Sequence, residues 1–238
     1  LVGGNVRSDN TDIDYGVRTE VSYEPSSFWS NYAKNIIDNI DFDNSAFQLQ
    51  LTELMKVLYR IQPFETVLEI GPGTGRITDL MLHNFNDIKE YTVLEISSDM
   101  VNKLLGNIKP RKHFNIIIGD ISRWETLDKA FGNKKYDLVL AVEVLMHIKP
   151  EDIFNVLGSM LYLAKRDVVH VDYSTDTKEE LQPHNFNHNY EEMYSKYRKH
   201  AFWKNWIRNW DTYKIGNIKQ KIFHLTVSSI YDWSLLDT

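Results

Sequence analysis

Two hydrophobic periodicities divide the chain. Phe28, Tyr32, Ile36 and Ile40 recur every four residues, with Pro25 and Ser26 as start signals, and predict a helix from Ser27. Asn44 and Ser45 can cap a second helix whose apolar face is Phe47, Leu51, Leu54, Met55, Leu58 and Ile61, ended by Pro63. Then short apolar runs alternate with helical patterns. Strands are predicted at Thr66–Ile70, Tyr91–Ile96, Phe114–Ile118, Asp137–Val142 and Val168–Val171. Helices are predicted at Arg76–Phe85, at Asp99–Ile108 with Ser98 as its cap, and at Pro150–Ala164. Such alternation implies parallel strands joined by right-handed helical crossovers, hence a doubly wound α/β sheet. After a polar connection over 173–190, Tyr190–Trp210 reads as helix, and Tyr213–Ile218 and Lys221–Ile230 as two final strands. Residues 1–22 are polar and read as a flexible or substrate-dependent arm.

The strongest chemical signal follows the first predicted strand: Val67-Leu68-Glu69-Ile70-Gly71-Pro72-Gly73-Thr74-Gly75-Arg76. A doubly wound fold binds its ligand beyond the carboxyl ends of its strands, where this loop would lie. The glycine spacing differs from the Gly-x-Gly-x-x-Gly of dinucleotide sites. Glu69 beside the loop would repel a pyrophosphate and attract a ligand carrying an ammonium and a sulfonium, which disfavours a nicotinamide oxidoreductase. Glu95, at the end of the second strand and 20 residues after Gly75, can accept both hydroxyls of a ribose. Asp120 can accept from an adenine amino group while Ile121 packs on the ring; as a plain alternative it caps a turn. Glu143 and His147 follow the fourth strand in Ala141-Val142-Glu143-Val144-Leu145-Met146-His147-Ile148.

Over residues 65–172 these four segments, in this order, resemble the class I S-adenosylmethionine-dependent methyltransferases, in particular their small-molecule branch. The resemblance implies a mostly parallel seven-stranded sheet with an antiparallel C-terminal hairpin. It implies an N-terminal arm and helical cap over 1–62 and a cofactor-binding part over 63–238. It also implies S-adenosylmethionine as cofactor and S-adenosylhomocysteine as product. By resemblance, Glu69, Gly71, Gly73 and Gly75 hold the methionine moiety, and Glu95, with Ile96 beside it, the ribose. Asp120 and Ile121 hold the adenine, and Ala141, Val142 and Glu143 line the methyl-bearing end.

Methyl transfer needs a base only when the acceptor must lose a proton. The candidates are His184 and His188 in the segment after the fifth strand, together with Glu143 and His147. Tyr15, Tyr23, Trp29 and Tyr190 are candidate walls of the acceptor site, since aromatic faces favour cations. Phe28, Tyr32 and Ile36 at helical spacing read instead as core. No oxygen-rich cluster suggests a metal.

The 238 residues include no cysteine, which excludes thiol chemistry and disulfides and suits a cytoplasmic, reducing compartment. No apolar run reaches the roughly 18–20 residues of a membrane helix. The net charge of −6 argues against coating nucleic acid by bulk charge. That charge is uneven: residues 196–221 carry +7, leaving −13 for the rest. Trp203, Trp206 and Trp210 interleave with those bases. The segment reads as a helix with buried tryptophans and a solvated basic face, or as a surface for an anionic acceptor. The expected acceptor is therefore a small molecule methylated at oxygen or nitrogen; the alternative is a peptide or RNA bound through 196–221.

Overall fold

The computed structural model describes residues 23–35, 45–109, 113–173, 184–198, 201–209 and 219–227, with the backbone alone at 45–47, 124–126, 201–209 and 219. The elements in chain order are α1 (Pro25–Asn35), α2 (Ser45–Ile61), β1 (Thr66–Ile70), α3 (Arg76–Asn84), β2 (Glu90–Glu95), α4 (Ser98–Asn107), β3 (Phe114–Ile118), α5 (Trp124–Phe131), β4 (Tyr136–Val142), a 3-10 turn (Leu145–His147), α6 (Ile153–Leu163), β5 (Ala164–Tyr173), α7 (Tyr190–Lys196), β6 (Ala201–Asn209) and β7 (Lys219–Val227). The seven strands form one sheet in the order β3-β2-β1-β4-β5-β7-β6. β1 pairs in parallel with both β2 and β4, whereas β7 runs antiparallel to β5 and to β6. The expected doubly wound sheet with its closing hairpin is present.

Strand alternation builds two cores. In β1, Val67 faces a cluster with α2, α3 and α4 (Leu54, Leu58, Ile77, Met81, Leu104), while Leu68 and Ile70 face one with α5, α6 and α7 (Leu127, Val156, Met160, Tyr194). Both faces are covered, as a parallel sheet requires, so its strands read as near-continuous apolar runs. Each fully buried Leu or Met contributes about 1.5–3 kcal/mol. Among the described residues no helix is long and apolar enough to cross a membrane.

Four boundaries differ from the sequence expectation, each for a local reason. Ser97, not Ser98, caps α4: its hydroxyl accepts from the Met100 amide at 3.2 Å. α6 begins at Ile153, not Pro150, because the Asp152 and Ile153 amides first close a turn onto the Lys149 carbonyl. α5 was not expected. Among its described side chains, Leu127 and Phe131, one helical turn apart, reach the core. β5 extends back to Ala164 because buried Asp167, a polar interruption in sequence, is satisfied by Arg166 Nε at 2.6 Å and His224 Nε2 at 2.8 Å.

The largest departure is C-terminal. The helix expected over Tyr190–Trp210 ends at Lys196, and Ala201–Asn209 is the outer edge strand β6. Lys204 and Arg208, four apart, fit a helical face. Phe202, Trp203, Trp206 and Ile207 are strand formers, and pairing with β7 from Ala201–Val227 to Asn209–Lys219 decides the outcome. The basic helical face expected over 196–221 is therefore absent there. Trp210 and the strand expected at Tyr213–Ile218 fall outside the described residues, as do Tyr15 and the rest of the 1–22 arm.

Candidate active site

The strand order reverses between β1 and β4, and a cavity of about 540 Å³ opens beyond their carboxyl ends. This is where doubly wound sheets bind ligands, and the size suits one small organic molecule. Its walls come from the loops after β1, β2, β3 and β4 and from α1.

The glycine loop forms one wall. The Gly71 amide donates to the Leu94 carbonyl at 2.8 Å, which ties the end of β1 to β2. Gly75, φ 97°, starts α3 where a Cβ would stand 2.7 Å from Leu104 Cδ1 and 2.8 Å from Ile108 Cγ2. Only a residue without a side chain fits both that angle and that contact. Gly73, φ 56°, has the opposite surroundings: a Cβ there would meet nothing within 4 Å. Open space over Gly73 is room for a ligand to lie against the backbone.

Glu95 stands across from this loop. Its Oε1 accepts from the Ser97 amide at 3.0 Å and its Oε2 from the Gly73 amide at 3.4 Å. Burial pushes its carboxyl upward, and the Ser97 and Gly73 bonds oppose that shift. Ile96 and Ile121 add apolar lining next to it. Asp120 lines the same end. Its Oδ1 accepts from both the amide (2.8 Å) and hydroxyl (2.7 Å) of Ser122, so it does cap its own turn. Glu69 sits deeper and is 2% exposed. Its Oε2 accepts from the Thr78 hydroxyl at 2.6 Å and the Tyr91 hydroxyl at 2.8 Å. Burial raises its carboxyl from 4.5 to about 7, against the lowering effect of those two bonds.

The β4 side is built differently. Glu143 follows β4 with φ 57°. Its Oε1 accepts from Gln50 Nε2 at 3.0 Å and Gln220 Nε2 at 2.8 Å, and its Oε2 faces Arg76 Nη2 at 3.2 Å. Arg76 Nη1 donates to Gln50 Oε1 at 3.0 Å. Gln50, Arg76 and Gln220, from α2, α3 and β7, were missed in sequence. Arg76 alone had a signal, its place directly after the glycine loop. Val142 and Val144 line the cavity, whereas Ala141 is wholly buried beneath it.

His147 closes this side. Its Nδ1 lies 3.0 Å from the His184 carbonyl, which can only accept, so the proton is on Nδ1 and Nε2 keeps its lone pair. Its ring lies edge-on to Trp29 at 4.8 Å and stacks on His184 at 5.4 Å. Burial lowers its pKa to about 4, so the ring is neutral near pH 7.

Among the described residues, five expected site residues do not line the cavity: Gly75 and Ala141, placed above, and His184, His188 and Tyr190. His184 packs its ring on Phe28 at 4.4 Å, behind His147. His188 is 4% exposed and bonded through Nε2 to the Ile148 carbonyl at 2.9 Å. Tyr190 belongs to the core, edge-on to His170 at 4.9 Å. The polar look of 183–190 misleads: over the described residues 184–190 the Phe186 amide bonds the Met146 carbonyl at 2.7 Å, and this stretch buttresses the 3-10 turn from behind. The same turn is held from β5 by Asp172, wholly buried, whose Oδ1 accepts from the Met146 amide at 3.0 Å and Oδ2 contacts His170 Nδ1 at 2.7 Å. Tyr23 and Trp29 do line the cavity. They belong to the α1 end that packs on the Glu95 loop, where the Ser30 and Ser97 hydroxyls lie 3.1 Å apart. Phe28, expected in the core, joins this aromatic group at the cavity rim, 5.1 Å from Trp29.

Comparison with known proteins agrees with this geometry. Residues 68–170 match the family model described as a methyltransferase domain. The central part of the chain is thus similar to a methyltransferase domain. A malonyl-[acyl-carrier protein] O-methyltransferase from Ilyobacter polytropus is 30% identical to the chain over 96 residues, 40% of this chain and 34% of that protein. A ribosomal RNA small subunit methyltransferase A from Borreliella afzelii is 27% identical over 113 residues, 45% and 37% of the two chains. The match thus spans about a third of the length of these relatives. Among solved structures, the N-methyltransferase NodS from Bradyrhizobium japonicum, in complex with S-adenosylhomocysteine, superposes with TM-score 0.67 at 13% identity. The match covers 84% of this chain and 99% of that one, a likeness of fold.

Proposed function

We propose that this chain is an S-adenosylmethionine-dependent methyltransferase acting on an oxygen or nitrogen of a small-molecule acceptor. The observation that carries the proposal is the cavity at the β1–β4 reversal, where open space over Gly73 faces the buried Glu95 carboxylate. When bound, the cofactor supplies an activated methyl group on sulfur, so the protein's task is alignment and exclusion of water.

In this proposal Glu95 accepts the ribose hydroxyls, its carboxylate already aimed by the Ser97 and Gly73 amides. Ile96 and Ile121 flank the adenine. Asp120 accepts from the adenine amino group through Oδ2, its Oδ1 being engaged by Ser122. Glu69, its carboxyl raised to about 7 by burial, is only partly charged near neutrality, and a cationic ligand at the loop favours its charged form. Val142 and Val144 shape the floor. His147, held by the His184 carbonyl, accepts an O–H or N–H of the acceptor at Nε2. It orients the acceptor; a ring whose pKa is lowered to about 4 is too weak a base to carry a full proton near neutrality. Tyr23 and Trp29 cover the cofactor end, and Arg123 and Lys149 on the cavity wall offer counter-charge to an anionic acceptor.

The names of the two sequence relatives point to different acceptors, malonyl-[acyl-carrier protein] in one case and ribosomal RNA in the other. An RNA acceptor would have to use 196–221. Its mark would be an RNA affinity that falls steeply with salt; no binding at low salt removes it. The test of the main proposal is calorimetric titration with S-adenosylmethionine and S-adenosylhomocysteine. Saturable binding is expected, abolished by Gly73→Arg, which fills the open space, and by Glu95→Ala. No heat with the unaltered chain would overturn it.

A further inference from the structure

The sheet has two outer strands, and their sequences differ. β6, at one edge, carries Lys204 and Arg208, and charged residues discourage another strand from pairing there. β3, at the other edge, reads Phe114-Asn115-Ile116-Ile117-Ile118, with no charge, no proline and no bulge in its register with β2. Among the described residues no strand pairs with its outer side. The Tyr91 amide donates to the His113 carbonyl at 3.1 Å and the Gly119 amide to the Glu95 carbonyl at 2.9 Å, so the odd-numbered residues of β3 bond to β2. Backbone groups alternate sides along a strand, so Phe114, Ile116 and Ile118 turn their N–H and C=O groups to the open edge. Ile118 is 57% exposed, and it does not line the cavity, so no ligand there covers it.

These three outward positions are symmetric about Ile116. Two copies laid antiparallel with Ile116 opposite Ile116 place Phe114 opposite Ile118 on both sides of the axis. All three positions are then hydrogen-bonded pairs, in which each residue exchanges both backbone bonds with the one opposite. The three side chains share one face, so the same register sets Ile116 on Ile116 and Phe114 on Ile118, apolar cross-strand pairs of the kind that stabilise a sheet. Charge selects the same orientation. Lys109, Arg111 and Lys112 precede the strand in sequence, and Asp120 follows it. Antiparallel pairing brings the basic lead-in of each copy toward the acidic exit of the other, whereas parallel pairing brings like toward like. We propose that the outer edge of β3 is a homodimer interface: a second copy of this chain adds its own β3 antiparallel, two-fold about Ile116, and joins the two sheets into one. Such an isologous contact closes on itself and leaves no open edge at β3. β3 leads directly into Gly119, Asp120 and Ile121 on the cavity wall, so the second copy braces the strand that carries part of that wall.

The test follows the full chain by analytical ultracentrifugation and amide hydrogen exchange over a range of about 100-fold in concentration. Mass should rise from monomer toward dimer. Exchange at the Phe114, Ile116 and Ile118 amides should slow in step, while Asn115 and Ile117, already bonded to β2, stay unchanged. Ile118→Lys should weaken association by ~10-fold or more, because the two-fold axis counts the change twice, and leave the monomer folded. Tyr59→Lys, at a side chain 48% exposed on α2, should leave association unchanged. The sequence holds no cysteine, so a single introduced one reports the register. With a short thiol cross-linker Ile116→Cys should give a covalent dimer. Ile118→Cys should not, since its two copies stand four positions apart along the strands, about 14 Å. A chain that stays monomeric at every concentration overturns the proposal, whether those amides exchange freely or are protected by the chain's own residues. So does association that Ile118→Lys and Tyr59→Lys weaken alike, or that cross-links at 118 and not at 116. If Ile116→Cys does not fold, the alternating exchange pattern of the unaltered chain decides.

Discussion

The two walls of the cavity are made by different means. On the β1–β2 side the polar groups are satisfied mostly from nearby: Asp120 takes both donors of Ser122, two positions on, and Glu95 takes the Ser97 amide, two positions on, with the Gly73 amide 22 positions back. On the β4–β5 side the partners come from afar. Glu143 is held by residues 93, 67 and 77 positions away, and Asp172 holds the turn carrying His147 across 26 positions. The nearer wall needs only β1 and β2 paired. A wall made of distant bonds exists only once the whole sheet is assembled, so it should be more sensitive to changes far from the cavity.

The sharpest way to break the local wall is Gly75→Val. Backbone strain at φ 97° and the contacts under 3 Å should together cost about 3–5 kcal/mol, read as a lowered denaturation midpoint. On the distant wall, Asp172→Ala strips the acceptor from the Met146 amide and from His170 in a fully buried place. It should cost about 2–4 kcal/mol, with His147 displaced. If the walls differ as described, Asp172→Asn, which keeps one acceptor, recovers stability but not full activity.

Titration separates the walls further. Glu69 has its carboxyl raised from 4.5 to about 7, so the folded chain binds that proton more tightly than the unfolded one. Its contribution to stability therefore declines as pH rises from about 4.5 to about 7. Glu69→Gln should flatten that decline and raise Tm at pH 8 relative to wild type. His147 has the opposite sign. Its pKa falls from 6.5 to about 4, so stability declines as pH drops through that interval, and His147→Phe should blunt the loss. The smallest effect is expected from Gln220→Leu: roughly 1 kcal/mol or less, because Glu143 keeps Gln50 and Arg76.

The same contrast explains what the sequence disclosed. Thr66–Ile70 was placed to the residue because a buried parallel strand announces itself as an apolar run, and Phe114–Ile118, half-exposed at the sheet's edge, because its run of isoleucines favours a strand. The glycine loop and Glu95 were legible because their spacing along the chain is their spacing in space. Gln50, Arg76 and Gln220 were not, since no local pattern links them. His188 and Tyr190 were misread because polar and aromatic residues near a site look alike whether they face a ligand or a core. Ala201–Asn209 was misread because its pairing partner β7, not its own pattern, makes it a strand.

The most direct test of the account is a structure of the chain with S-adenosylhomocysteine. The account predicts adenine between Ile96 and Ile121, ribose hydroxyls on Glu95 and backbone contact at Gly73. A ligand bound elsewhere, or one in this cavity whose ribose does not reach Glu95, would contradict it.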